Sequence, residues 1–113
     1  MNGQPGKLLR VYVNENDRYN GKPLYEAIVD RCRELQVAGV TVFRAIEGFG
    51  ETAELHQHHV FQNDQPIVLT IVERPEKTQQ IIPVLEAMMN SGLIAVTDVE
   101  VTLVSNGTRT QLP

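Results

Sequence analysis

The sequence has no tryptophan and a single cysteine, Cys32. One thiol cannot close an intrachain disulfide, and its place on the apolar side of an expected helix makes it a buried group, which suits a reducing cytoplasm. Positive charge is in the minority: ten Lys and Arg against fourteen Asp and Glu give a formal net charge of −4. Without a basic stripe to exchange counterions with phosphates, a general nucleic-acid binder is not expected. No uninterrupted apolar run is long enough to cross a bilayer, and Met1 to Gly6 lack the apolar segment of a leader, so a soluble cytoplasmic chain without direct membrane insertion is expected.

What is present is the composition of an ordinary globular protein, 42% hydrophobic and 21% charged. Two cores within 113 residues would each be too small to offset chain entropy, so one domain is expected, with its core over about 7–104 and a polar tail over 105–113. The chain is organised around the stretch from Gly39 to Gly50, a β-rich run closed by Gly48-Phe49-Gly50 and followed by a polar, histidine-bearing loop over 51–65. Two glycines around one aromatic permit a sharp bend and a close approach by a ligand or a second chain.

In chain order, Lys7 to Val13 predicts a first strand, ended by turn formers from Asn14 to Asp17 and by Asn20-Gly21. Pro23 and Glu26 suit the start of a helix whose apolar stripe is Leu24, Ile28, Cys32 and Leu35; it is expected to run to about Gln36 and to break at Gly39. Val40 to Ile46 and Ile67 to Val72 are the second and third strands. Pro75-Glu76 opens a second helix with Thr78, Ile81, Leu85 and Met88 on one stripe and Pro83 as an expected kink, and Asn90-Ser91-Gly92 closes it. Ala95 to Val104 is the fourth strand.

The order β-α-β-β-α-β predicts a ferredoxin-like α+β fold: a four-stranded antiparallel sheet with two helices on one face. The third strand then sets a problem, because Ile67, Leu69 and Ile71 point one way while Val68 and Val72 point the other. An antiparallel sheet normally shows one polar face to water, so self-association over the second face is expected.

The span from Lys7 to about Val104, with its block Asp17 to Ala27, its Ile46-Glu47-Gly48-Phe49-Gly50, His56, and Leu85-Glu86 after Pro83-Val84, resembles the PII-like family of domains of unknown function, DUF190, related to the PII signal-transduction proteins. The resemblance implies a homotrimer with its sheets facing inward and nucleotide-sized clefts between subunits. It also implies an adenine nucleotide (AMP, ADP or ATP) as the effector to examine, and a membrane transporter or channel as the partner of the 51–65 loop. At the place of the glycine-rich basic loop of PII this chain has Asn90 to Ala95, with one glycine and no cation, and its last strand offers Thr102 and Val104 instead of paired arginines. The ligand-binding set expected here is Thr41, Arg44, Gly48, Phe49, Gly50 and Lys22, with loop N–H groups as donors and Arg44 or Lys22 as phosphate partners.

Two further readings stand beside this one. In the first, similar to the CutA-type relatives of the fold, His56 and His58 share one face of an extended segment and hold a divalent cation in a trimer. In the second the trimer is purely structural. Catalysis is not expected, since Glu47, Glu51 and Glu54 are loop carboxylates without a partner motif.

Overall fold

The computed structural model describes residues 3–46, 65–105, 108–110 and 112. Its main sheet has four antiparallel strands in the order β4-β5-β1-β6, where β1 is Gln4–Asn14, β4 Val40–Arg44, β5 Pro66–Glu73 and β6 Leu93–Val101. The first strand lies at the centre, pairing Leu9 with Ile71 on one side and with Val96 on the other. Helices α1 (Leu24–Glu34) and α2 (Pro75–Met88) connect the strands as the ferredoxin-like fold requires.

Between β1 and α1 the chain makes a small hairpin of β2 (Arg18–Tyr19) and β3 (Lys22–Pro23). Asn20 and Gly21 turn it with φ of 51° and 85°, the two left-handed residues that a tight Asn-Gly turn demands. Pro23 then leads into α1, with Glu26 in the first turn and Arg31 and Arg33 in the last, each at the end where the helix dipole favours its charge. The break after α1 is at Gln36 and not at Gly39. Gln36 takes φ 59°, its N–H donates to the Arg33 carbonyl at 3.1 Å, and the Val37 N–H donates to the Cys32 carbonyl at 3.0 Å. This paired reversal satisfies the last carbonyls of the helix and returns Val37 to the core.

The second helix runs through Pro83 to Met88 and buries Thr78, Ile81 and Leu85. Pro83 is exposed, as is Gln79, the residue whose carbonyl loses its intrahelical donor. The fourth main strand starts two residues earlier than expected and stops at Val101, with Thr102 outside any strand. The expected polar tail contributes to a second hairpin, β7 (Leu103–Ser105) with β8 (Thr108–Thr110). Leu112 is buried, and its N–H donates to the Gln4 side chain at 3.0 Å.

Alternation along the strands divides the sheet. Leu9, Val11, Val13, Ile67, Leu69 and Ile71 form one buried cluster with Leu24, Ile28, Cys32, Ile81 and Leu85 of the helices. The intervening residues, Leu8, Tyr12, Val68 and Val72, lie on the other face and are only half-buried. The thiol of Cys32, pushed up to about 11 by burial, is inert.

One buried charge organises an end of the sheet. The Glu73 carboxylate is fully enclosed, accepts from the Ala38 N–H at 2.7 Å and the Arg74 N–H at 3.0 Å, and lies 3.6 Å from Lys77 Nζ, which also donates to the Gln36 carbonyl. It thereby ties β5 to the start of α2 and to the turn after α1. Glu73→Ala orphans both N–H groups and the half of the ion pair that remains, and is expected to cost about 3–5 kcal/mol, measured by urea unfolding of the variant. A loss under about 1 kcal/mol would show that this carboxylate is not what fixes the junction.

Candidate functional site

Register places the open-face residues in rows. Phe43, Val68, Tyr12 and Leu93 form one row across the four strands, and Thr41, Thr70, Arg10 and Ala95 the next. Val72, Leu8 and Thr97 continue it. Phe43 and Leu93 are 53% and 47% exposed although they share this apolar surface. No acidic residue stands in these rows, and Arg10 is the one cation in them.

At one corner of this face the α2–β6 turn presses against β1. Gly92 has φ 122°, and a Cβ there would lie 2.4 Å from the Tyr12 carbonyl oxygen, so only glycine lets the backbones approach. Glu86, Asn90, Ser91 and Leu93 line a shallow hollow of about 260 Å³ beside it, and the turn carries no cation.

The opposite corner is formed where β4 ends. Thr41 is on the open face, whereas Arg44, three residues on, points to the other side of β4. Arg44 is ion-paired with Glu15 from the turn after β1. The Glu15 N–H donates to the Gln65 carbonyl at 2.8 Å, the Gln65 N–H donates to Glu15 Oε1 at 3.4 Å, and the Ala45 N–H donates to the Pro66 carbonyl at 2.9 Å. The hydrogen bond from Arg44 holds the Glu15 carboxyl below its ordinary range, with smaller help from the Gln65 N–H and against a small opposing effect of burial. Arg44 is raised in turn, chiefly by Glu15 and to a lesser degree by Tyr25.

Lys22 is elsewhere. It is ion-paired with Asp30, which lowers the Asp30 carboxyl and raises the Lys22 ammonium, and it lines a groove of about 640 Å³ between α1 and α2 with Tyr19, Arg31, Pro83 and Met88. The described chain therefore does not gather Thr41, Arg44 and Lys22 on one surface. Gly48, Phe49 and Gly50 of the expected ligand loop, and His56 and His58 of the metal reading, lie outside the described residues. Among the described residues no three His, Cys, Asp or Glu side chains are grouped as metal ligands would be. Asp17 serves the turn, accepting from the Asn14 N–H at 2.9 Å and, through its carbonyl, from the Leu24 N–H at 2.8 Å. Sequence reasoning missed Glu15, because nothing local marks a carboxylate whose partner is 29 positions away.

The model of the DUF190 family, described as "Uncharacterized ACR", matches residues 6–101. A UPF0166 protein of Aquifex aeolicus (strain VF5) is 39% identical over 97 residues, covering 84% of this chain and 91% of its own. Another, from Methanocaldococcus jannaschii, is 31% identical over 98 residues, covering 84% and 90%. Among solved structures, CPII of Thiomonas intermedia K12, a nitrogen regulatory PII-like protein bound to ADP, AMP and bicarbonate, superimposes with a TM-score of 0.62 at 16% identity over 89% of this chain and 99% of its own. A putative PII-like signaling protein from Thermus thermophilus gives 0.62 at 19% identity over 89% and 93%. At such identities the structural likeness establishes the PII-like, ferredoxin-like fold.

The Glu15 and Arg44 pair makes a pH-dependent statement. A carboxyl held below its unfolded value stabilises the fold above that value and loses the contribution as pH falls through the folded one. By carbon NMR, Glu15 is expected to titrate below 4.5 in the parent and to return to about its ordinary value in Arg44→Met. An unchanged midpoint in the variant would show that the pair does not persist in solution.

Proposed function

The chain belongs to the DUF190 family, and from that premise we propose that it is a non-enzymatic PII-like regulator, a cytoplasmic homotrimer that senses a small anionic effector between subunits. The observation that carries this reading is the open sheet face. Both helices pack against the opposite side, and the rows of Phe43, Val68, Tyr12, Leu93, Leu8 and Val72 have no cover among the described residues. Apolar surface of this extent marks an interface, and each Å² removed from water contributes about 25 cal/mol. Arg10 is compatible with it, since its aliphatic stem covers apolar surface while the head reaches a wet cleft.

Packing three such faces together leaves clefts along the sheet margins, where β4 and the α2–β6 turn end. Thr41, Arg44, Gly48, Phe49 and Gly50 are the residues proposed to bind there, while Lys22, paired with Asp30 in the helix-side groove, is set apart from them. An adenine nucleotide is the effector class favoured, supported by the ADP and AMP bound to CPII from Thiomonas intermedia K12, which shares the fold. The absence of a cation at Asn90 to Leu93 favours mono- and diphosphates over triphosphates. The 51–65 segment is proposed to contact the partner, a membrane transporter or channel.

Melting curves with ADP and AMP test this reading. A ligand bound only by the folded trimer stabilises it by roughly 2.7 kcal/mol at a hundredfold excess over its dissociation constant. Val68→Asp, which puts a charge in the middle of the open face, is expected to keep the helical and strand content of the chain but to abolish both trimer and nucleotide response. A parent without any response would end the effector reading, and a Val68→Asp variant that still responded would place the ligand within one chain.

A further inference from the structure

Glu15 joins the two backbone segments that bracket residues 47–64. On one side Arg44 donates to Oε2 of its carboxylate, and on the other the Gln65 N–H donates to Oε1 at 3.4 Å. Gln65 reaches back across the bracket: with its amide nitrogen toward the carbonyls, it donates to Ala45 at 2.8 Å and Ile46 at 3.2 Å. One carboxylate from the turn after β1 thus holds both the exit from β4 and the entry to β5.

We propose that Arg44 is an anion seat whose resident occupant is the Glu15 carboxylate, and that a phosphate-bearing ligand binds by exchanging with it. The inference rests on the regulatory reading above and assigns selectivity and coupling to one residue, Glu15. The pair lies at the surface, with the Arg44 side chain 51% and the Glu15 side chain 27% exposed, so a ligand can reach it. Exposed ion pairs are weak and screened by salt, which makes exchange feasible. The planar guanidinium fork matches two phosphate oxygens, and a phosphate dianion carries more charge than the carboxylate it replaces.

The three lysines do not offer the same consequence. Lys22 is held by Asp30 within the helix-side groove, Lys7 by Asp98 across a strand pair, and Lys77 by buried Glu73. At Arg44 the displaced acid also holds the residue at the far side of the bracket. A neutral molecule brings no charge to the guanidinium and a singly charged anion only matches the carboxylate, whereas a phosphate dianion exceeds it. The internal competitor also sets the affinity, which is reduced by the fraction of time that Arg44 is free.

Calorimetric titrations at low salt with inorganic phosphate, AMP and ADP, on the parent, Glu15→Gln and Arg44→Met, test the exchange. Glutamine keeps an oxygen for the Gln65 N–H and removes the competing charge. Glu15→Gln is therefore expected to bind phosphate and ADP roughly three- to tenfold more tightly than the parent, and Arg44→Met to lose the site. The amide resonance of Gln65 should move as phosphate is added to the parent and stay still in Arg44→Met. A merely structural Glu15 would give the opposite sign, and equal or weaker binding by Glu15→Gln overturns the proposal, as does unchanged phosphate binding by Arg44→Met. If AMP and ADP bind regardless of Arg44, the effector reading stands and the exchange fails. If phosphate binds through Arg44 but neither nucleotide binds more tightly, the exchange stands and the nucleotide assignment fails. Absence of binding in all three proteins overturns both.

Discussion

Two helices cover one face of a four-stranded sheet, and in this chain the other face is apolar as well. That mismatch governs the rest of the structure. The helix side holds the fully enclosed cluster of Leu9, Val11, Leu69, Ile71, Ile81 and Leu85, and a monomer built on it alone would leave Phe43, Val68, Leu8 and Val72 against water. Polar substitutions on the second face would have relieved the mismatch, as Thr41, Thr70 and Thr97 do locally. Apart from Arg10, their neighbours in these rows are mainly aliphatic or aromatic, the composition that the proposed shared surface would need.

The margins of that face are where the backbone becomes specialised. At one corner Gly92 permits contact with the Tyr12 carbonyl, and at another Glu15 links β1, Arg44 and Gln65. Both features fix strand ends relative to the central strand, and both lie beside the edges that an assembly would bring together. The chemistry available there is charge recognition by a guanidinium and by backbone donors, with no positioned acid, base and nucleophile among the described residues.

Much of the fold was legible in the sequence. Period-two alternation in Ile67 to Val72 revealed both sheet faces, because each side chain's direction follows from its position in a strand. Asn20-Gly21 marked a turn, although the β2–β3 hairpin it closes was not expected, and Pro75 marked its helix start through strictly local geometry. The break after α1, though not the helix end at about Gln36, was misplaced at Gly39, since left-handed backbone is commonest at glycine, and here Gln36 adopts it to let Val37 return to the core. Glu73 and Glu15 were invisible for a different reason. Their roles depend on partners brought close only by the fold, Ala38 to Glu73 and Arg44 to Glu15, and nothing in the neighbouring residues distinguishes them from surface carboxylates. For the candidate site, Thr41, Arg44 and Lys22 were named from the sequence, but their separation, and the ion pairs already occupying the two cations, required three dimensions.

The claim on which the rest depends is that the open sheet face is buried between three copies of the chain. Sedimentation equilibrium of the purified protein at micromolar concentration measures this without a ligand or a variant. The account predicts one species of three times the chain mass, unchanged by dilution through the low-micromolar range. A single species of chain mass, with Phe43 and Val68 left in water, would contradict it.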